Sequence, residues 1–232
     1  MDRRSVLRAT IATGATATAV GAVAGASAAT ASAPKRPVRV HILMYPGVEE
    51  MDFAGPVEVF GMARGLGGDI TTTLVTVDAT SPVTATHGTR VEATGRWSPR
   101  ETNLLVVPGG GYRRADTPGV AYEIQRGVLP AAIRAALTIA GICTGTMLLS
   151  AAGLTAGRPC ITHHRAADDL RAQGGIVTDA RVVDDGDLVT AGGVTSGLDL
   201  ALWLVERQLG AALAVQVEQV LEYERRGTVW RA

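Results

Sequence analysis

The chain has 232 residues, 47% of them apolar and 19% charged, which suffices for one α/β domain with a substantial core and falls short of two. Its 22 Lys and Arg balance 22 Asp and Glu. No global field therefore draws the protein to nucleic acid or to an acidic membrane face, and a small neutral partner fits better.

Residues 1–33 stand apart from that domain. MDRRSVLR pairs Arg3 with Arg4 ahead of Val6 and Leu7, and the uncharged Ala/Thr/Gly run from Ala9 to Ala33 follows. This pattern reads as a twin-arginine signal peptide, with a basic start, a weakly apolar middle and a small-residue cleavage box. A membrane anchor fits worse, because Ala, Thr and Gly supply little transfer energy and the run contains no leucine. Pro34 disfavours a cut after Ala33, so cleavage is expected after Ala28 or Ala31. The expectation is export through the twin-arginine machinery to the periplasm or beyond, with a linker at 34–37 and one domain over 38–232. Cys143 and Cys160 would then meet an oxidising compartment.

VRVHILMYPG reads as a buried first strand, and Phe53 to Arg64 as the helix after it. TTTLVTVDA is a second strand, and VTATHGTRVEATG a hairpin turning at His87-Gly88. NLLVVPGGG is a third core strand ending in glycines. GVAYEIQRGVLPAAIRAAL is helical with a break expected at Pro130. LTIAGI is the strand that delivers Cys143, and GTMLLSAAGL the helix that leaves it. PCIT reads as a short strand, RAADDLRAQGG as a helix, and ARVVDDGDLVTAGG as a strand pair around Asp185-Gly186. A long apolar-periodic helical region, SGLDLALWLVERQLGAALAVQVEQVLEYE, completes the chain. Strands alternating with helices predict a parallel sheet covered on both faces.

Gly141-Ile142-Cys143-Thr144-Gly145 has the spacing of a nucleophile elbow with cysteine in the reactive position. A strand-to-helix turn there would expose the thiol, let the helix N-terminus favour thiolate, and offer the Thr144 amide to an oxyanion. Gly109, Gly110 and Gly111 follow the neighbouring strand and would supply the other half of that oxyanion hole. A cysteine is more often inert core filler, so this context decides the reading. Asp52, boxed by Met51, Phe53 and Ala54, is a carboxyl whose apolar surroundings should raise its pKa toward acid/base use. Glu49 and Glu50 read as a solvated loop. His163 and His164 are further candidates, but with Cys160 they make too few ligands for a metal site.

VHILMYPGVEEMDFAGPVEVFG, NLLVVPGGG, IAGICTGTMLLSAAGLTAGRPCITHH and VVDDGDLVTAGGVTSGLDLALWLVE together resemble the ThiJ/PfpI superfamily, of class I glutamine amidotransferase-like fold, and most of all its isonitrile hydratase branch. The resemblance runs from Val38 to about Tyr223. It implies a flavodoxin-like three-layer sandwich, a homodimer, Cys143 as the reactive cysteine, Asp52 as its acidic partner, Thr144 as the branch's threonine and His163 as the histidine of its T-T-H stretch. Thr144 stands where protease-like members carry histidine. Thr146-Met147 and the lack of histidine beyond His164 exclude the glutamine amidotransferases proper. Related regulators add a C-terminal DNA-binding domain, for which the chain ends too soon, so no nucleic acid is expected.

The leading expectation is a cysteine-dependent hydratase that converts an isonitrile and water into an N-substituted formamide, with no metal or organic cofactor. Cys143 would attack, Asp52 would move protons, and the Gly110 and Thr144 amides would hold the intermediate. The alternatives are glyoxalase or deglycase chemistry on reactive carbonyls, and a non-enzymatic redox-sensing or binding dimer in which Cys143 is oxidised. A Cys143–Cys160 disulfide is a structural alternative.

Overall fold

The computed structural model describes residues 36–133 and 138–232, so the signal-peptide expectation and Pro34 lie outside the described residues. Among the described residues the strands are β1 (Val38–Leu43), β2 (Ile70–Thr76), β3 (Val83–Thr84), β4 (Arg90–Val91), β5 (Gly95–Arg96), β6 (Leu104–Val107), β7 (Ile139–Ile142), β8 (Pro159–Cys160), β9 (Ile176–Val177), β10 (Val182–Asp185), β11 (Leu188–Ala191) and β12 (Trp230–Arg231). The helices are α1 (Glu50–Gly65), α2 (Val120–Arg126), α3 (Val128–Ile133), α4 (Gly145–Ala151), α5 (Ala167–Ala172), α6 (Ser196–Leu209) and α7 (Ala211–Leu221).

Eight strands form the central sheet in the order β12-β10-β11-β7-β6-β1-β2-β5. All neighbours in it run parallel except β10 and β11, which form the antiparallel pair around Asp185-Gly186 expected from the sequence. The inner strands β6, β7 and β11 are buried at every position. Such continuous apolar runs are what a sheet covered on both faces requires. Helices α1, α6 and α7 pack together as one layer, and α2, α3 and α4 as the other. The result is the three-layer α/β sandwich that the alternation of strands and helices predicted.

Several details differ from the sequence expectation. The first helix begins at Glu50 rather than Phe53, because Glu50 and Asp52 are acidic residues that suit a first turn. The helix expected to break at Pro130 breaks instead at Gly127, which adopts φ 70° as the cap of α2. Pro130 sits in the first turn of α3, where its missing N–H is not needed. The long helical region divides at Gly210 into α6 and α7. PCIT gives only β8, which pairs with β9 in a separate small sheet. The hairpin at His87-Gly88 forms as β3 and β4, also outside the main sheet.

Candidate active site

Four neighbouring parallel strands, β11, β7, β6 and β1, run their carboxyl ends to one place. The segments that leave them carry Val194, Cys143, Gly109 and Asp52 respectively. In open α/β sheets this edge is where ligands bind.

Cys143 is the turn between β7 and α4, and its backbone is left-handed, with φ 56°. A side-chain-bearing residue in that region costs about 1–2 kcal/mol. The surroundings hold it there. The Cys143 N–H donates to the Ala191 and Gly192 carbonyls at 3.0 and 2.9 Å, and the Thr162 hydroxyl donates to the Cys143 carbonyl at 2.8 Å. Gly145 is required by close approach, since a Cβ there would overlap the Val107 carbonyl oxygen.

Asp52 lies in the first turn of α1 and is wholly buried. Its Oδ2 accepts the Gly109 N–H at 2.8 Å, and Oδ1 is buried without a hydrogen-bond partner. Gly109 permits this contact, because a Cβ there would stand 2.7 Å from Asp52 Oδ2 and 2.7 Å from Thr144 Oγ1. Burial pushes the Asp52 carboxyl up to about 7, and the Glu49 charge adds to the rise; the Gly109 N–H and the Cys143 thiol oppose it. The expectation of a raised carboxyl therefore holds, and so does burial as its cause, but the residues that cover it differ. Met51 and Ala54 face solvent, and Asp52 is covered by Gly109 and the Cys143-Thr144 turn instead.

Burial also pushes the Cys143 thiol up, to about 12, with the nearby Asp52 carboxylate as the second cause. The backbone N–H groups of Val194 and Thr144 favour the thiolate, without prevailing. Two expectations are corrected here. The thiol is 5% exposed rather than open to solvent, and the two turns of α4 do not outweigh desolvation and the neighbouring carboxylate. At neutral pH the thiol, at about 12, keeps its proton while the acid, at about 7, is half ionised, and the two titrate as a coupled unit rather than as independent groups.

The oxyanion hole needs a further correction. The Gly110 N–H donates to Thr144 Oγ1 at 2.9 Å, and that hydroxyl donates back to the Gly110 carbonyl at 2.8 Å. The Gly109 N–H is committed to Asp52. Neither glycine amide faces an incoming oxyanion. The Thr144 side chain thus ties the β6 loop to the elbow. The amides left beside sulfur are those of Thr144 and Val194.

Cys143 and Thr144 open onto a cavity of about 290 Å³, shared with Glu49, His163, Tyr112 and Val194 among others. His163 Nδ1 accepts the Arg165 N–H at 3.2 Å, which places the proton of the neutral ring on Nε2. Burial lowers the His163 pKa, and the charges of His164 and Arg165 lower it further, so the ring is neutral at pH 7. Glu49 and Glu50 are not a solvated loop. Glu49 lines the cavity, and a Glu50 carboxylate oxygen accepts the His87 N–H at 2.8 Å, tying down the β3–β4 turn. Cys143 and Cys160 are both free, so the disulfide alternative does not describe this structure.

The sequence profile of the DJ-1/PfpI family matches residues 38–207, nearly all of the folded domain. The chain belongs to the DJ-1/PfpI family. Among DJ-1/PfpI relatives it is similar to the isonitrile hydratase of Pseudomonas putida, 32% identical over 187 residues that cover 80% of this chain and 78% of that one. It is also 32% identical to the HTH-type transcriptional regulator CdhR of Pseudomonas aeruginosa over 181 residues, 76% of this chain but only 52% of the regulator. The crystal structure of a ThiJ/PfpI family protein from Pseudomonas syringae superposes with a TM-score of 0.69 at 29% identity, covering 83% of this chain and 78% of the other.

Sequence reasoning missed three contributors to this DJ-1/PfpI site. Thr162, the neighbour of His163, is the residue that hydrogen-bonds the elbow carbonyl. Tyr45 is buried and donates to the Pro108 carbonyl at 2.7 Å, fixing the loop that carries Gly109. Val194, at φ 26°, brings its amide to the sulfur. The signal for Val194 was present in Gly192-Gly193, a second strand-to-helix turn marked by glycines. Nothing local marks Tyr45 or Thr162.

Proposed function

We propose that this DJ-1/PfpI protein is a cysteine-dependent hydratase that adds water to isonitriles, with no metal or organic cofactor in the cycle. The observation that carries the reading is the buried Asp52–Cys143 pair, in which a carboxyl of about 7 sits against a strained elbow thiol. The isonitrile carbon is electrophilic to sulfur and becomes basic once sulfur has added, so one group must take a proton and then return it. Asp52 carboxylate takes the thiol proton as Sγ bonds to the terminal carbon. The resulting carboxylic acid gives that proton to the same carbon, which yields a thioimidate. Water then adds to the thioimidate carbon, nitrogen gains a proton, and the C–S bond breaks. The products are an N-substituted formamide and the Cys143–Asp52 pair with its single proton restored. The amides of Thr144 and Val194 hold the sulfur and the oxygen-bearing intermediate, and the Thr144 hydroxyl fixes the loop that positions Asp52.

The similarity to the Pseudomonas putida isonitrile hydratase over most of both chains supports the reaction class. The twin arginines Arg3-Arg4 and the uncharged run after them support export through the twin-arginine pathway, and membership of the DJ-1/PfpI family supports a homodimer acting on a small molecule. Replacing both arginines with lysine should retain the protein in the cytoplasm; equal export of the variant would remove that part of the proposal.

The reaction is tested by following alkyl isonitrile loss and formamide appearance with the parent and Cys143→Ala proteins. Consumption by Cys143→Ala at the parent rate would exclude the mechanism. Turnover of methylglyoxal with none of any isonitrile would transfer the same pair to carbonyl chemistry.

A further inference from the structure

The cavity above Cys143 is not electrically neutral. Two arginines, Arg113 and Arg165, are among its lining residues, against one acidic residue, Glu49. Arg113 comes from the loop after β6 and Arg165 from the turn before α5, so they reach the cavity from two different segments. Those segments are joined there, since Arg113 Nη2 donates to the Arg165 carbonyl at 3.3 Å. Neither guanidinium forms an ion pair with a carboxylate among the described residues, whereas the adjacent Arg114 is held by Asp116 at 2.7 Å. Glu49 has His87 Nε2 at 3.4 Å. A guanidinium has five N–H donors in a planar fork, so the single bond made by Arg113 leaves most of its recognition capacity free. The same cavity is lined by Cys143 and the neutral His163.

We propose that Arg113 and Arg165 are an anion clamp, and that the substrate of Cys143 carries a carboxylate or phosphate group a few bonds from the carbon that sulfur attacks. This rests on the reading of Cys143 as the nucleophile. A cavity of about 290 Å³ has room for roughly ten water-sized groups at ~30 Å³ each, which suits a short acid such as an isocyanoalkanoate. The anion binds the forked donors at the rim, and the isonitrile carbon is thereby aimed down the cavity at sulfur. Both arginines are exposed, so the attraction is screened by salt.

The test compares isocyanoacetate with its methyl ester. The parent should prefer the acid by roughly tenfold in kcat/KM at low ionic strength, the scale of one or two charge-assisted hydrogen bonds. High salt should shrink that preference. Arg113→Gln and Arg165→Gln should each bring the acid-to-ester ratio toward one through KM, while Arg114→Gln, outside the cavity, keeps it. A second readout does not need turnover: N-formylglycine and inorganic phosphate are tested for protection of Cys143 against alkylation by iodoacetamide. Arginine-dependent protection by either supports the clamp, and the more effective of the two identifies the anion. If acid and ester turn over equally in parent and variants and neither anion protects, the clamp is excluded while the hydratase reading stands. If no isonitrile is consumed yet N-formylglycine or phosphate protects through the arginines, the hydratase reading falls and the anion site survives.

Discussion

Cys143 and Cys160 lie 17 residues apart, and both are buried and free. Burial raises both thiols, one to about 12 and the other to about 11, so titration alone does not separate a reactive cysteine from core filler. Their neighbourhoods do. Cys160 sits in β8 with a regular strand backbone, packed near Gly175 and the Asp185–Arg158 ion pair, and borders no cavity among the described residues' principal clefts. Cys143 has a left-handed backbone, a proton acceptor beside its sulfur, two amides facing it and a cavity above it. Reactivity in this molecule comes from the partner and the access, while the burial is common to both sites.

The largest effect that would sharpen this comparison is on turnover. Cys143→Ala should lower isonitrile hydration by roughly a thousandfold or more, whereas Cys160→Ala should keep it near the parent rate. Equal losses from the two would break the contrast. Next, Asp52→Asn should cost roughly 10²–10⁴ in rate, the usual worth of a positioned acid/base. The same change removes a carboxylate that raises the Cys143 thiol, so iodoacetamide should label Cys143 faster in the variant than in the parent at pH 8. Opposite changes in turnover and labelling are the signature of the coupled pair.

Gly145→Ala places a Cβ on the Val107 carbonyl oxygen and should destabilise the domain by about 3 kcal/mol, read by chemical denaturation. A further effect on stability concerns pH. The Asp52 carboxyl titrates near 3.8 when unfolded and about 7 when folded, so the folded state resists an ionisation that the unfolded chain undergoes. Its contribution is fully present below 3.8 and is lost as pH rises to about 7; Asp52→Asn should therefore gain thermal stability relative to the parent across that window. Parent kcat/KM should rise with a midpoint near pH 7, as the folded-state carboxylate forms. The smallest effect is expected at the other cysteine, where Cys160→Ala should cost about 1 kcal/mol of stability through a small cavity, with no change in pH profile.

Much of this architecture was legible from the chain. The apolar runs of β1, β6 and β7 and the glycines after them carry their own local signals, and so does the elbow GICTG. The errors fell where a local rule met a neighbour distant in sequence. Asp52 was placed correctly but given the wrong cover, because its burial comes from Gly109, 57 residues away. The Gly110 amide was assigned to an oxyanion because nothing in PGGG reveals that the Thr144 hydroxyl would already occupy it. Thr162 was passed over for the more conspicuous histidine beside it.

The sequence by itself determined the strand-and-helix alternation and the elbow position of Cys143, since periodicity, glycine spacing and residue type are properties of short segments; the pairing of Cys143 with Asp52 came from the family resemblance. Only the tertiary structure decided which amides remain free, that the thiol is held protonated, and where charge gathers. A balance of 22 basic and 22 acidic residues suggested a neutral partner. Folding brings Arg113 and Arg165 from separate loops to one rim, and a local field depends on that arrangement rather than on the total.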